Sequence, residues 1–545
     1  MALLVAGVAL LACVTGLHNQ FTQDDLPLIA QNLRIHDLGN WREIVTSPFW
    51  PPPYSEDLYR PVTALLLAFQ WTLAKGGPLL FRIVSDLLYA GASLAVLGLA
   101  RRLVPLGVAV LVALLFAAHP VHVEAVALGA GQSELLVSIC VVAALARYLR
   151  RRREGGLGAG DWILLGGLYL AACLSKEHAL LLPGLLLAAE VLLLRGPFRE
   201  RARALLPGYL FLLALGGLVL LARAAVLPGN LAGTFTADAL VGVSLPRRAL
   251  TMLRIVPQWT RLLLWPAHLQ ADYSPQEIVA STGFGGAEAL GALLLGGALL
   301  AVWLTRKRAP TIAFGLCWMA IALFPVSNLL VPTGIVLAER TLLLPSVGLL
   351  LALGGVLSVL WQPRAARTPI VIATAVTLLL VVAGVARSAE RQTVWHDETT
   401  FRIRSVADAP LSWRAQLSYG TSLLEQGAEE PGLAAYQRAL ELAPPELRWR
   451  VRNDLAQRYF ASGDDQRAVG VLLASREGNP EVEETWHYLV LGWLTLGNYP
   501  VAGAEADSAL ARGFSQQLFG DLRALADSAA HNHVPPGGIR IRVNR

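Results

Sequence analysis

From its first residues to about residue 387 the chain alternates apolar runs with polar breaks, and most runs are apolar on every face. A helix needs about 20 such residues to cross roughly 30 Å of hydrocarbon. The pattern predicts eleven spans, near 2–18, 78–100, 103–118, 132–149, 161–175, 179–194, 204–224, 287–304, 311–331, 342–361 and 369–387. Two long breaks, 19–77 and 225–286, each contain a further helix-like stretch, Val62 to Leu73 and Leu250 to Trp265, expected to lie in the interface.

After about residue 411 the pattern becomes that of amphipathic helical pairs. Three windows of about 34–36 residues stack. The first carries Gly420, Gly427, Tyr436, Ala439 and Pro444, the second Ala456, Tyr459, Gly463, Ala468 and Pro480, and the third Trp486, Trp493, Gly497, Ala502 and Ala509. Small residues let paired helices approach while aromatics fill the gaps, as in a tetratricopeptide solenoid. The expected fold class is all-α, a polytopic membrane domain over 1–387 joined by a linker (388–410) to repeats over 411–530, with a capping helix at 515–530 and a flexible tail at 531–545.

Composition supports the membrane assignment: 55% of the 545 residues are hydrophobic and only 15% charged, where soluble domains carry about a quarter. The net charge of +6 is no nucleic-acid signal, because the arginines cluster between apolar runs. Arg101 and Arg102; Arg147 and Arg150 to Arg153; Arg195, Arg199, Arg201 and Arg203; Arg306, Lys307 and Arg308; and Arg364 and Arg367 each follow an even-numbered span. Basic loops stay in the cytoplasm. The N-terminus is therefore expected inside and everything after residue 388 outside. A removable signal peptide is the alternative for the first segment. The four cysteines lie in apolar segments at no metal-ligand spacing. Scarce Lys beside abundant Arg, Ala, Leu and Gly looks like a GC-rich bacterial genome.

The ionisable residues that remain gather at the outer ends of the spans, where burial makes them expensive and informative. Asp24 and Asp25 follow the first span, and Tyr59 and Arg60 close the first long loop. His119, His122 and Glu124 precede Gln132 and Glu134; Lys176, Glu177 and His178 lie between the fifth and sixth spans; Asp272, Tyr273, Glu339 and Arg340 come later. Ordinary solvated loops explain Asp37 and Glu56, but poorly explain Lys176, Glu177, Glu339 and Arg340, which are pressed between apolar stretches. An outward-facing polar cavity accounts for them better.

Six segments in order carry a resemblance: Gln23-Asp24-Asp25, Tyr59-Arg60-Pro61-Val62-Thr63, His119-Pro120-Val121-His122-Val123-Glu124-Ala125-Val126, Leu174-Ser175-Lys176-Glu177, Ala271-Asp272-Tyr273-Ser274, and Glu339-Arg340-Thr341-Leu342-Leu343-Leu344-Pro345-Ser346-Val347-Gly348. With the terminal repeats, they resemble the transmembrane and tetratricopeptide-repeat (TMTC) proteins over nearly the whole chain. The resemblance implies a GT-C glycosyltransferase that moves mannose from a polyprenyl phosphate to protein Ser/Thr; with the composition and the loop charges, the expected place is a bacterial inner membrane with the repeats in the periplasm. Three repeats are fewer than family members often have.

Such chemistry needs a carboxylate to take the acceptor proton and cations to hold the leaving phosphate. The resemblance makes Asp24 the expected base and Asp25 its orienting partner; adjacent acids in an extended segment would point apart. Arg340 is the first candidate for phosphate, then Lys176, then Arg60. Glu339 and Glu177 are expected to tune or neutralise the cations beside them. His119 and His122 would share a helix face with Glu124 nearby, as a hydrogen-bonding element or, less favoured, a divalent-metal site; no cofactor is expected. Asp272 and Tyr273 either line the pocket or cap an interfacial helix. The repeats are expected to bind the acceptor polypeptide. A lipid-linked sugar transporter or flippase, and a non-catalytic scaffold acting through the repeats, are the rival readings.

Overall fold

The structure, a computed structural model, describes all residues except 55–57, 228–235, 274, 361–366 and 540–545, and it does not describe the side chains of 198, 360, 367 and 369. Glu56, Ser274 and Arg364, and the end of the basic tail, therefore lie outside the described residues, as does the Arg367 side chain. Among the described residues there are helices and turns but no strands. The chain forms two compact units, one ending at Arg404 and the other beginning at Ser405, with residues 274–278 counted to the second.

In the first unit a helix stands at each of the eleven predicted positions. These are Ala2–Cys13, extended by a 3-10 turn to His18, then Leu79–Ala100, Leu106–Ala117, Gln132–Glu154, Ala159–Ser175, Leu182–Leu193, Phe198–Val226, Gly286–Thr305, Pro310–Leu323, Leu343–Leu360 and Arg367–Gln392. Among the described residues six helical stretches are long and apolar enough to cross a bilayer alone, or seven if the bent pair Leu106–Ala117 and Pro120–Ala127 is one broken span. Eleven is thus more than length alone supports. Proline contributes to the shortness, since Pro120, Pro183 and Pro310 open new helical turns where a longer helix would have continued. Both interfacial stretches are helical, as Pro61–Ala74 and Leu245–Leu264. The chain is a multi-pass membrane protein.

Close packing relies on glycine where backbones meet. A Cβ on Gly315 would lie 2.4 Å from the Gly348 carbonyl oxygen, and one on Gly348 2.5 Å from that of Gly315. No other residue fits between these two helices, which suits membrane packing by small residues. The first long loop has a core of its own. Leu28, Ile29, Ile35, Ile44 and Phe49 pack with Leu67 and Ala68 of the Pro61–Ala74 helix. That core turns a 59-residue break into a cap with fixed side-chain positions.

The Gln132–Glu154 helix measures the depth of the bundle. Glu134 lies in its first turn and Arg151 to Arg153 in its last, about 26 Å apart at 1.5 Å per residue. At the arginine end, Asp161 binds Arg147 (2.6 Å) and Arg151 (2.9 Å), and Glu190 binds Arg152 and Arg201 (2.6 Å each).

The second unit stacks three helical pairs, Trp413–Glu425 with Glu429–Leu442, Arg448–Ser462 with Asp465–Gly478, and Glu483–Thr495 with Tyr499–Ala511, followed by Gln516–His531. Gly427, Gly463 and Gly497 take φ of +78°, +82° and +73° in the turns within the pairs, the left-handed conformation that glycine tolerates. Ala439, Ala468 and Ala502 are fully buried between helices.

Candidate active site

The chain leaves its first helix at His18 and makes a tight turn before the short helical segment Leu26–Ala30. The Asp25 amide donates to the Thr22 carbonyl (3.0 Å) and the Leu26 amide to that of Gln23 (3.1 Å). Asp24 and Asp25 therefore sit in a turn, not in the extended segment expected from sequence. Their side chains still part. Asp25 is fully buried and accepts hydrogen bonds from Arg82 Nη2, the Gly129 amide and the Ala130 amide, each at 2.9 Å. Burial pushes its carboxyl up, against the pull of Arg82 and the two amides. The Asp24 side chain is 27% exposed, stands 3.8 Å from Arg340 Nη2, and accepts no hydrogen bond among the described residues.

Arg340 opens the turn that starts the Leu343–Leu360 helix. Its Nη1 and its backbone amide both bind Glu124, the amide at 2.8 Å. Glu124 is buried in the short Val123–Ala127 helix. Sequence neighbours do not become partners here, because consecutive residues of a 3-10 turn point about 120° apart. Glu339 turns away from Arg340 to accept from the Gln270 amide and the Tyr273 hydroxyl (2.9 Å). Burial and the Glu339 charge push the Tyr273 hydroxyl well up. Tyr273 is thus a buried strut under Glu339, and Asp272 lies beside it, partly buried.

The same divergence separates Lys176 from Glu177. Lys176 Nζ donates to Glu134 Oε1 (2.5 Å), with His178 Nε2 3.5 Å from the other carboxylate oxygen. Glu177 instead takes both Arg60 donors, Nε at 3.0 Å and Nη2 at 2.7 Å. The Arg60 guanidinium also lies 5.4 Å from the Phe49 ring. Burial pulls Lys176 and His178 down, with Glu134 opposing it. Burial also pushes Glu177 up, but the Arg60 charge and hydrogen bonds outweigh it and hold this carboxyl well below the usual range.

His119 caps and His122 closes a 3-10 turn instead of sharing an α-helical face, and their rings stack 5.1 Å apart. His119 Nε2 meets the Leu263 carbonyl (3.0 Å), while His122 bridges the Tyr89 hydroxyl and Ser346 Oγ (2.9 Å each). They form a hydrogen-bonding element that ties the 119–127 segment to three helices. Among the described residues no three His, Cys, Asp or Glu side chains gather as a metal-binding group.

Five separate segments thus meet through paired charges. Arg82, in the first turn of the Leu79–Ala100 helix, reads in the sequence only as the edge of a span. An arginine so close to an apolar run needs an acid, and that requirement was the available signal.

No family model matches the chain. Comparison with curated proteins gives 27% identity to the protein O-mannosyl-transferase TMTC3 of Mus musculus over 459 residues, 78% of this chain and 49% of that protein. The chain is a homologue of the TMTC proteins. TMTC1 of Homo sapiens is 25% identical over 501 residues (81% of this chain, 55% of TMTC1), and Tmtc2 of Drosophila melanogaster 32% over 272 residues (46% and 28%). The chain spans about half the length of the curated TMTC relatives it matches. Among solved structures, the oligosaccharyltransferase AglB of Archaeoglobus fulgidus, in complex with an inhibitory peptide and a dolichol-phosphate, aligns with 81% of this chain and 60% of its own. That alignment has a TM-score of 0.42 and 15% identity.

Proposed function

We propose that this protein is a membrane glycosyltransferase that moves a sugar, mannose by the name its relatives carry, from a polyprenyl phosphate to a Ser or Thr hydroxyl of a polypeptide. One observation carries the reading. In a cluster where Asp25, Glu124, Glu134 and Glu177 each accept a hydrogen bond from a cation, the Asp24 side chain, 27% exposed and 3.8 Å from a guanidinium, accepts none among the described residues.

Transfer forms a bond between the acceptor oxygen and the anomeric carbon and breaks the bond from that carbon to the phosphate oxygen. Asp24 takes the hydroxyl proton as the new bond forms. The leaving phosphate gains negative charge, which Arg340 meets with the donors that Glu124 does not occupy, and Lys176 with its remaining ammonium protons. The incoming phosphate competes with Glu124 and Glu134, so those acids hold the cations in place until the donor arrives. Arg60, locked to Glu177, contributes charge at longer range.

The arginine-rich end of the bundle faces the cytoplasm by the positive-inside rule. The Asp24 cluster then opens to the periplasm of a bacterial inner membrane. The helical pairs of the second unit act as tetratricopeptide-type repeats that hold the acceptor chain.

The test is transfer of labelled mannose from polyprenyl-phosphate mannose to a Ser/Thr-rich peptide by the purified protein. General-base removal costs about 10²- to 10⁴-fold, so Asp24→Asn is expected to lose at least a hundredfold in rate with its thermal unfolding unchanged. Full activity of Asp24→Asn would rule out this assignment and leave the transporter and scaffold readings ahead.

A further inference from the structure

Residues 388–410 read in sequence as a linker, yet they hydrogen-bond the chain leading to Asp24 at four points. Thr15 Oγ1 donates to the Ala389 carbonyl (2.5 Å), Asn19 Nδ2 to that of Gln392 (2.9 Å), and the Gln20 amide to that of His396 (2.8 Å). The fourth contact differs in kind. The Gln23 amide, immediately before Asp24, donates to the carboxylate oxygen Oε2 of Glu398 at 3.0 Å.

Gln23 needs holding. Its φ is +50°, the left-handed region that a residue with a side chain occupies only when its surroundings insist. Glu398 is itself fixed from behind, because its other oxygen accepts from Arg402 Nε at 2.9 Å. The segment is anchored by Trp395, which is fully buried with Val123, Ala127, Leu128 and Phe401. Val123 and Ala127 bound the short helix that carries Glu124, the partner of Arg340. One anchor therefore sets both the carboxylate of Asp24 and the cation facing it.

We infer that Glu398 is a positioning residue for transfer: it holds the left-handed turn at Gln23 and so aims Asp24 beside Arg340. The inference rests on the reading of Asp24 as the base. A charge-assisted hydrogen bond of this kind sets the aim by about one to two orders of magnitude in rate.

The experiment uses the full-length protein in lipid nanodiscs, with polyprenyl-phosphate mannose as donor and a Ser/Thr peptide as acceptor. Glu398→Ala is expected to lower kcat about tenfold or more while donor KM moves less than about twofold. Adding Gln23→Gly, which makes the positive φ easy, is expected to restore most of the loss. The double variant Glu398→Ala/Asp24→Asn should be no slower than Asp24→Asn alone, since both act on one group. Glu398→Gln keeps an acceptor oxygen for the Gln23 amide and should stay within about threefold of the native rate; Glu398→Met, of similar size but without that acceptor, takes the place of the alanine variant if that does not fold, with the same loss and the same rescue expected. An inactive Asp24→Asn beside a native-rate Glu398→Ala overturns the positioning role and leaves the base assignment intact. A slow Glu398→Ala that Gln23→Gly does not rescue, or a Glu398→Gln as slow as Asp24→Asn, also overturns it. An active Asp24→Asn removes the base, and this inference with it.

Discussion

At the arginine-rich end of the Gln132–Glu154 helix, Glu190 accepts from Arg152, Arg201 and the Tyr148 hydroxyl, and Asp161 accepts from Arg147, Arg151 and the Gly158 amide. At the opposite end Arg82 pairs with Asp25, Arg340 with Glu124, Lys176 with Glu134 and Arg60 with Glu177, and Asp24 stands 3.8 Å from Arg340 without a hydrogen bond among the described residues. Each acid at the first end is saturated by two cations or more donors. That arrangement staples helices together and has nothing left to give a ligand. At the second end Asp25 is saturated in the same way, by Arg82 and two amides, and Arg82 also donates to the Asn19, Gln20 and Ala127 carbonyls; Arg340 and Lys176 keep donors and the Asp24 carboxylate accepts no hydrogen bond among the described residues, which is what chemistry on a phosphate and a hydroxyl requires. Counting charged residues would not separate the two ends; counting who is satisfied does.

If that comparison is right, the largest effect belongs to Asp24→Asn, and it falls on rate alone. Asp25→Asn should do the reverse. Removing its charge leaves Arg82 buried without its hydrogen-bonded counter-ion, and breaking a buried pair costs about 3–5 kcal/mol. The expected outcome is a clear fall in the thermal midpoint by intrinsic tryptophan fluorescence, with activity following folded protein. An Asp25→Asn variant that is native in stability but dead in transfer would move the base from Asp24 to Asp25 and break the contrast between the two ends.

Glu190→Gln probes the saturated end with a smaller effect. Arg152 and Arg201 reach water more easily than Arg82 does, although Tyr148 is buried, so the loss should be about 1–2 kcal/mol. Specific activity per folded molecule should be native. A transfer defect without a stability change would mean that the arginine end takes part in function after all.

Much of this was open to reading in the sequence, for identifiable reasons. Apolar runs mark helices because a buried backbone must satisfy its own hydrogen bonds, and a helix stands at every predicted span. Asp24, Lys176, Glu177, Glu339 and Arg340 stood out because charges beside apolar runs are costly. The pairing was hidden. Arg340 finds Glu124 and Arg60 finds Glu177 across more than a hundred positions, and adjacency wrongly suggested Glu339 and Glu177 as the partners of Arg340 and Lys176. Glu398 was invisible for a further reason. It lies in a stretch with no apolar signal, and its role depends on a positive φ at Gln23 that no residue type announces.

The smallest effect concerns pH and His178, which is packed against Glu134, Lys176, Glu177 and Arg60. Burial holds its imidazole below the ordinary value of about 6.5, despite the pull of Glu134. In the unfolded chain the ring therefore binds a proton at a higher pH than it does in the folded protein. Stability depends on the difference in bound protons, so as pH falls below about 6.5 the unfolded state gains protons that the folded one refuses, and stability declines until the folded ring also titrates. Melting the native protein and His178→Asn between pH 7.5 and 5 should show a shallower acid-side decline in the variant, with the two curves parallel above pH 7. Parallel curves throughout would mean that the folded ring titrates as the unfolded one does, and a steeper acid-side decline in the variant that His178 is charged in the folded state. Glu134 would then be shared by two full cations, and this end of the helix would match the saturated arrangement at the other.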